Sequence, residues 1–393
     1  MPATPMKNLL YRAALPLLAP SVRGKLSVAT AGHALTHRKS LVRVLEKHHV
    51  HGASVRLVQS GEFAQADISV ASGSKARTAD QRSIYRVASI TKTATALVML
   101  RLIEQYGLSL DSEIAPLLPD GKGSARLSGM TLRHLLSHTS GLRDTPACDA
   151  ALSHGDDFHA VLTSPGVVAA RSGSTFAYCN FGFGLLGCVM ESLTQLPLSA
   201  VMEGLLFRPL GMNATLDAST IPADDVMPIT RVLSRHRQTD VRITALGRVP
   251  LAKPDPLHHF GHTAGAMYTD APSLSRMLDL IAQEGSWHGQ QLISPALIRE
   301  MCSEQASYGA ASPTLKYGLG LLLVDDPAIS PNRIIGHQGF AYGCVDGAFI
   351  ETGTGRQVIS LNGGASEARI GRMGLVNRDI LRYALREELP AWK

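Results

Sequence analysis

The sequence predicts an α/β (α+β) fold, in which strands from both ends of the chain form one antiparallel sheet flanked by helices. Strand-like runs occur near both ends, helix-like apolar segments lie between them, and an amphipathic helix ends the chain. We therefore expect one discontinuous domain. It consists of an α/β subdomain at 35–90 plus 257–393 and an inserted helical subdomain at 91–256, preceded by a basic leader or arm at 1–34.

The N-terminal part predicts a helix followed by three strands. Residues 35–49 have the apolar spacing of an amphipathic helix. Residues 53–58 and 66–70 are strand-like and flank a Gly-containing turn, which is a hairpin signal. A third extended run at 84–87 leads into Ser89.

The middle of the chain predicts helices, and the C-terminal part predicts a meander. Helical segments are expected from Ser89 to a glycine at 107, at 181–193 and at 199–206, whereas 213–256 predicts mostly loop with short strands. The late strand-like runs are spaced as an antiparallel meander and lie at 317–323, 333–336, 346–350 and 357–361.

The composition argues against a nucleic-acid-binding protein and against a membrane-spanning helix. The formal charge is +6, but residues 1–45 hold seven basic side chains and no acidic one. Removing those seven from the 38 basic residues leaves 31 against 32 acidic residues, so the body of the chain is near neutral. A nucleic-acid surface needs a basic patch in the folded part. A transmembrane helix needs about 18 consecutive apolar residues, which the sequence lacks.

The N-terminal segment and the cysteines indicate the cellular location of the protein. The N-terminus resembles a weak secretory signal, but Arg12 and Pro16 interrupt its apolar region. We therefore expect a solvated or loosely docked arm. The five cysteines are scattered and include no CxxC pair, which indicates buried free thiols. Both observations favour a cytoplasmic over a secreted or periplasmic location.

Ser89 and Lys92 form the first candidate pair for chemistry. They lie three positions apart at the start of a predicted helix, so both side chains share one face of its first turn. This setting suits a nucleophilic serine with an adjacent amine. The alternative is an N-cap serine beside a solvated lysine. Ser72 and Lys75 have the same spacing but lie in a Gly/Ser turn, where nothing would hold the two side chains together.

Tyr178 and Asn180 form the second candidate pair. They are the only Tyr-x-Asn in the chain and directly precede the helix expected at 181–193. A tyrosinate near a lysine ammonium could take the serine proton and return it to the leaving group. The alternative is a buried tyrosine with a satisfied hydroxyl.

A third motif, Gly336-His337-Gln338-Gly339-Phe340, follows an apolar strand. Gly339 would let a substrate approach the strand edge closely. The N–H of Phe340 could join that of Ser89 as an oxyanion hole. The alternative is a glycine-marked bend in a sheet.

Together the three motifs resemble the serine β-lactamase and penicillin-binding-protein superfamily, which combines Ser-x-x-Lys with a second polar motif and a Lys-Thr-Gly strand. The Tyr-x-Asn is similar to that of the class C-like branch, which includes D-aminopeptidases, D-Ala-D-Ala carboxypeptidases, esterases and acyltransferases. The resemblance covers about residues 35–390 and rests also on Gly107–Asp111, Thr131–Leu142, Arg208–Met212 and Thr263–Tyr268.

The resemblance implies a β-lactamase/transpeptidase-like fold and a role for each motif residue. Ser89 would be the nucleophile, Lys92 its base and Tyr178 the acid/base. Asn180 would hold a substrate amide or the Lys92 ammonium, while His337 and Gly339 would line the substrate edge. His134, His138, Ser137 and Ser140 suggest a Ser/His set, but the resemblance assigns that segment a structural role.

One departure narrows the expected activity. Class C β-lactamases have lysine and threonine where this chain has His337 and Gln338. A histidine near its reference pKa is mostly neutral at pH 7 and would bind a lactam carboxylate poorly. We expect a serine hydrolase acting on a D-amino-acid peptide or a small carboxylic ester. The alternatives are a class C-like β-lactamase and a non-hydrolytic penicillin-binding sensor.

The sequence predicts no cofactor and no metal. Two histidine clusters lack the His-Glu-x-x-His pattern and an evident acidic third ligand; they comprise His48, His49 and His51, and His258, His259 and His262. The second cluster could still line the pocket, because it directly precedes the match at 263–268. The expected partner is a small-molecule ester, peptide or lactam.

Overall fold

The computed structural model describes residues 5–18, 26–70, 79–80, 83–119, 124–222, 224–232, 238–239, 251–307 and 315–391. The helices are α1 Pro5–Leu18, α2 Arg38–Lys47, α3 Thr91–Gln105, α4 Ser124–Leu127, α5 Leu132–Leu136, α6 Pro146–His154, α7 Phe158–Thr163, α8 Asn180–Thr194, α9 Leu198–Met202, α10 Ala271–Ala282, α11 Pro295–Cys302 and α12 Leu375–Arg382.

The strands alternate with these helices at both ends of the chain. They are β1 Leu26–Gly32, β2 Ala53–Gln59, β3 Glu62–Val70, β4 Tyr85–Arg86, β5 Ala214–Thr215, β6 Ile229–Thr230, β7 Gln238–Thr239, β8 Tyr268–Thr269, β9 Ser286–Trp287, β10 Gln290–Gln291, β11 Ala306–Ser307, β12 Leu315–Tyr317, β13 Leu322–Val324, β14 Ile334–Ala341, β15 Cys344–Glu351, β16 Gln357–Asn362, β17 Arg369–Ile370 and β18 Met373–Gly374.

One nine-stranded antiparallel sheet joins the two ends of the chain, which confirms the predicted fold class. Its strand order is β1-β3-β2-β16-β15-β14-β13-β12-β11. The N-terminal hairpin meets the C-terminal meander where β2 pairs with β16, with Val55 opposite Ser360. Helices cover both faces of the sheet, so each strand of its centre is buried on two sides.

Two elements differ from the sequence predictions. Residues 26–32, which we assigned to the leader, form the edge strand β1 and pair with β3 along their whole length. The single strand expected at 317–323 is two strands, because Gly320 adopts φ +69° between β12 and β13. The N-terminal arm also docks on the body, since Asn8 exchanges hydrogen bonds with the backbone of Arg369. The division into two subdomains stays a prediction.

Helix α3 is the centre of the larger core cluster. Twelve of its fifteen residues are buried, and its apolar side chains pack against α8 and the sheet. A helix that is buried on nearly all sides has no solvated face, so its polar residues must find partners inside the protein. Those partners define the site described below.

No single helix among the described residues has the length and apolar character needed to cross a membrane. One pair bent by 87°, Asn180–Thr194 with Leu198–Phe207, meets that requirement by length and composition only. The residues of the first helix of this pair are mostly buried inside the protein.

The middle of β14 lies directly against the turn that precedes α3. A Cβ atom on Gly339 would come 2.3 Å from the carbonyl oxygen of Val87 and 3.2 Å from the Cβ of Ala88. We had expected this glycine to give a substrate access to the strand. The protein's own backbone lies against this glycine, so Gly339 allows the strand to contact the turn, and its role at the substrate edge stays a prediction.

We predict that Gly339→Ala lowers the free energy of unfolding by about 1–3 kcal/mol, because the added methyl group overpacks this contact. Gly204→Ala is a matched control, since a Cβ at that exposed glycine would meet nothing within 4 Å. It should leave stability unchanged or raise it by up to about 1 kcal/mol. Chemical denaturation of both variants measures the difference. If Gly339→Ala and Gly204→Ala had the same denaturation midpoint, the steric explanation for Gly339 would be wrong.

Candidate active site

Ser89 sits in a single 3-10 turn, Ala88–Ile90, that leads into α3. Ala88 has φ +45°, in the left-handed region. A non-glycine residue there is strained by about 1–3 kcal/mol and persists only where its surroundings impose it. The Thr91 hydroxyl donates to the Ala88 carbonyl at 2.6 Å, and the Ile90 N–H donates to Val87 at 3.1 Å. The turn therefore holds the partly exposed Ser89 hydroxyl in one position.

Three threonines on α3 fix the helix to its surroundings. Thr91 accepts from the N–H of Met267 at 3.1 Å, and Thr95 donates to the carbonyl of Thr263 at 2.8 Å. Thr93 donates to the carbonyl of Gly320 at 2.9 Å. These side chains are all buried. The loop at 263–267 and the β12–β13 connection are thus bound to the helix that carries Ser89.

Lys92 is fully buried, and its ammonium group contacts three acceptors. Nζ lies 3.1 Å from Ser89 Oγ, 2.8 Å from Asn180 Oδ1 and 2.6 Å from the carbonyl oxygen of Ala264. An ammonium group has three N–H donors. All three are matched, so the charged form is accommodated without water.

Burial also stabilises the neutral form of Lys92. Desolvation lowers its pKa from 10.5 to about 7, against smaller opposing effects from Asp144 and Cys179. A neutral amine has two N–H donors and one lone pair. Asn180 Oδ1 and the Ala264 carbonyl can only accept, so they take the two N–H groups. The lone pair then points at the Ser89 hydroxyl, which is the geometry of a general base.

Tyr178 lies against the lysine, and His138 lies beneath the tyrosine. Lys92 Nζ is 4.9 Å from the centre of the Tyr178 ring. The rings of Tyr178 and His138 are 4.2 Å apart, and His138 Nδ1 accepts from the N–H of Cys179 at 3.1 Å. Desolvation, followed by the nearby charges of Lys92 and His337, holds the pKa of His138 well below its usual value. His138 therefore supports the Tyr178 segment as a neutral ring.

Asp144 is a residue that the sequence analysis missed. Its Oδ2 accepts from the backbone N–H and the side-chain amide of Asn180 at 2.9 and 2.8 Å. Its Oδ1 accepts from the N–H of Phe181 at 2.9 Å. The carboxylate thus caps α8 from a loop 36 residues earlier in the chain. Asp144 lies two residues after the 131–142 match, which could have drawn attention to it, but no local pattern links it to Asn180.

His337 is buried on β14, and both of its ring nitrogens have partners. Nε2 lies 3.0 Å from the Tyr317 hydroxyl, and Nδ1 lies 2.7 Å from the carbonyl oxygen of Gln338. Desolvation, with the charge of Lys92, lowers its pKa to about 3. Its ring centre is 6.4 Å from that of Tyr178. His337 is therefore a buried, neutral residue close to Tyr178, and its role at the substrate edge stays a prediction.

The N–H of Phe340 faces the open edge of β14. Val345, its partner on β15, directs its own N–H and C=O to Asn362 on β16, at 3.2 and 2.7 Å. Phe340 and Val345 therefore form a non-hydrogen-bonded pair, and the backbone polar groups of Phe340 point away from β15. On that side β13 pairs only as far as Gly336. The Phe340 side chain points away from the site and stacks against Arg369.

Two histidines of the second cluster contact carboxylates and so hold the loop that contains them. His259 Nδ1 lies 2.8 Å from both carboxylate oxygens of Glu191, and His258 Nδ1 lies 2.8 Å from Asp255. Both members of the His259–Glu191 pair are fully buried. Across the described part of the chain, no group of three or more His, Cys, Asp or Glu side chains could hold a metal ion.

The structure brings most of the predicted site residues together. Ser89, Lys92 and Asn180 are joined by hydrogen bonds, and Tyr178 packs on Lys92. Gly339 and Phe340 lie beside the Ser89 turn on β14. The competing pair, Ser72 and Lys75, lies outside the described residues.

The family model that matches the chain is Beta-lactamase, over residues 37–376. Esterase EstB of Burkholderia gladioli is 27% identical over 337 residues, which is 76% of this chain and 81% of that protein. Penicillin-binding protein 4 of Amycolatopsis lactamdurans is 26% identical over 45% of this chain and 47% of its own length.

Solved structures are similar in fold. The D-amino acid amidase of Ochrobactrum anthropi SV3, complexed with L-phenylalanine amide, has a TM-score of 0.67 at 22% identity, over 88% of this chain and 96% of that one. EstCE1, a hydrolase with promiscuous acyltransferase activity, has a TM-score of 0.66 at 20% identity, over 88% and 98%.

We predict that the rate of Ser89 labelling by a fluorophosphonate rises about tenfold per pH unit below pH 7 and levels off above it. Only the neutral Lys92 amine accepts the serine proton, and a pKa of about 7 places that change there. Lys92→Arg should label slowly at every pH, because a guanidinium stays protonated. Rate constants from pH 5.5 to 9 measure both. A flat wild-type profile would exclude Lys92 as the base.

Proposed function

The chain belongs to the Beta-lactamase family and is a serine hydrolase, and we propose that it cleaves small esters or amides through an acyl-enzyme on Ser89. The observation that carries the proposal is the environment of Lys92. Two acceptor-only groups take its N–H donors, so its lone pair faces the serine hydroxyl.

The first half of the proposed reaction forms the acyl-enzyme. Ser89 Oγ attacks the substrate carbonyl carbon while its proton passes to Lys92. The N–H groups of Ser89 and Phe340 stabilise the oxyanion that develops, and losing one such donor typically costs about 2.7–4 kcal/mol of transition-state stabilisation. The intermediate collapses when the carbonyl–leaving-group bond breaks. The leaving group takes a proton from Tyr178, which Lys92 reprotonates.

The second half returns the enzyme to its starting state. A water molecule attacks the acyl carbon and gives one proton to Tyr178, which passes its own proton to the neutral Lys92 amine. The bond between the acyl carbon and Ser89 Oγ then breaks, and the proton returns to the serine oxygen. The carboxylic acid leaves, and no cofactor is consumed. Asn180 holds the lysine amine throughout, which is one of the two roles that the resemblance implied.

The substrate we propose carries no carboxylate beside the scissile bond. The position that a class C β-lactamase fills with lysine is His337 here, and its pKa of about 3 keeps it neutral at physiological pH. An esterase and a D-amino acid amidase among the similar proteins support a neutral ester or a D-amino-acid amide. A class C-like β-lactamase activity is the less favoured alternative.

We expect Ser89→Ala to abolish fluorophosphonate labelling and to lower the hydrolysis of p-nitrophenyl esters at least 1,000-fold, because it removes the hydroxyl that forms the acyl-enzyme. Ser72→Ala is the matched control for the second Ser-x-x-Lys and should label and turn over as the wild type does. Intact-protein mass spectrometry locates the label. Full labelling of Ser89→Ala would refute the assignment.

In a substrate panel, the enzyme should favour substrates that carry no carboxylate. We expect kcat/KM for p-nitrophenyl butyrate or D-phenylalanine amide to exceed that for a carboxylate-bearing cephalosporin by about 10- to 100-fold, the usual worth of a hydrogen bond to a charged group. Preferred turnover of the cephalosporin would overturn the substrate proposal. A single stoichiometric burst with every substrate would instead indicate a non-hydrolytic sensor.

A further inference from the structure

The orientation of the Asn180 amide decides where the Lys92 lone pair points. With Oδ1 toward Nζ, the amide accepts a hydrogen bond and leaves the lone pair to Ser89. Rotated by 180°, its NH₂ group would face the amine and donate to that lone pair. The same atoms would then block the base, because an amide presents an acceptor on one side and donors on the other.

Asp144 selects between these two orientations. Its carboxylate accepts from Asn180 Nδ2 at 2.8 Å, and a carboxylate at neutral pH offers acceptors only. In the rotated orientation two acceptor oxygens would face each other across that distance. The contacts to the N–H groups of Asn180 and Phe181 hold the carboxylate in place at the start of α8.

We infer that Asp144 is a positioning residue of the hydrolysis, which keeps the Asn180 amide oxygen on Lys92 and so directs the Lys92 lone pair at Ser89. The inference rests on the proposed function of Ser89 and Lys92. Asp144 is an exposed loop residue. In this inference it controls the direction of the Lys92 lone pair without contacting the reacting carbonyl.

A second effect of Asp144 is electrostatic. Desolvation lowers the pKa of Lys92, and the negative charge of Asp144 is the largest of the effects that oppose this lowering. Removing the charge should lower the Lys92 pKa from its value of about 7. The acidic limb of the kcat/KM profile should then move to lower pH, although the maximum rate falls.

Asp144→Asn tests the inference, because it keeps the shape of the side chain but adds an NH₂ group. That group can donate to Oδ1 of a rotated Asn180 amide, so the rotated orientation becomes possible. We expect kcat for p-nitrophenyl butyrate to fall about 10- to 100-fold, with KM changed less than threefold and the acidic limb shifted to lower pH. Asp157→Asn is the matched control. Asp157 caps α7 in the same way, accepting from Ala160 at 2.9 Å, and this variant should change neither kcat nor the pH profile.

A double variant provides the rescue. Asp144→Asn combined with Asn180→Asp exchanges the amide and the carboxylate between the two positions, and an acceptor oxygen again faces Lys92. We expect it to recover at least tenfold in kcat over Asp144→Asn and to move the acidic limb to higher pH, since the negative charge is now nearer the amine. If Asp144→Asn alone does not fold, as judged by thermal denaturation, Asp144→Glu replaces it and should retain the wild-type limb within 0.3 pH units, on the order of a twofold change.

The outcomes separate this inference from the proposed function. A wild-type protein that fails to label at Ser89 refutes the proposed function. Normal labelling and turnover of the wild type, together with an unchanged kcat and acidic limb in Asp144→Asn, refutes the role of Asp144 alone. The inference would also be wrong if Asp157→Asn lost as much kcat as Asp144→Asn, or if the double variant had no higher kcat than Asp144→Asn. Asp144 would then act only as a helix cap.

Discussion

The burial of the Lys92 amine is the constraint on which the rest of the site depends. A lone charge in an apolar interior carries a desolvation penalty of several kcal/mol, so a buried lysine needs both a lowered pKa and a full set of acceptors. Here the acceptors come from three separate parts of the chain: the turn before α3, the start of α8 and the loop at 263–267. The amine therefore fixes how these three segments meet.

The neighbouring aromatic and histidine rings serve the same constraint. Tyr178, His138, Tyr317 and His337 form a continuous packed group behind the lysine. Burial and the lysine charge keep both histidines neutral, so the group adds no competing positive charge. A protonated histidine at either position would raise the free energy of the Lys92 ammonium further. A neutral histidine at position 337 thus adds no second positive charge beside Lys92.

Local patterns were sufficient to predict the sheet, the hairpin and the long helices, and to suggest Ser89, Lys92, Tyr178 and Asn180 as candidates, while the family resemblance implied that these four residues act together. The three-residue spacing and the strand–turn–helix context are short-range properties that a sequence displays directly. The residues that hold those groups in place could not be found in this way. Asp144 contacts Asn180, and His138 contacts Cys179, across segments of more than thirty residues that must first fold. The packing role of Gly339 could not be predicted from the sequence, because its neighbour in space, Val87, lies 252 positions away along the chain.

The strand order of the main sheet has a consequence for how the protein folds. The early strands β1–β3 reach the rest of the sheet only through β16, which lies about 300 residues later. Contacts of such long sequence separation slow folding, and during synthesis the edge of β2 stays without its partner until β16 has been made. The turn that carries Ser89 likewise waits for β14. The setting of the Ser89 turn therefore depends on two segments, residues 87–88 and Gly339, that are about 250 positions apart in the sequence.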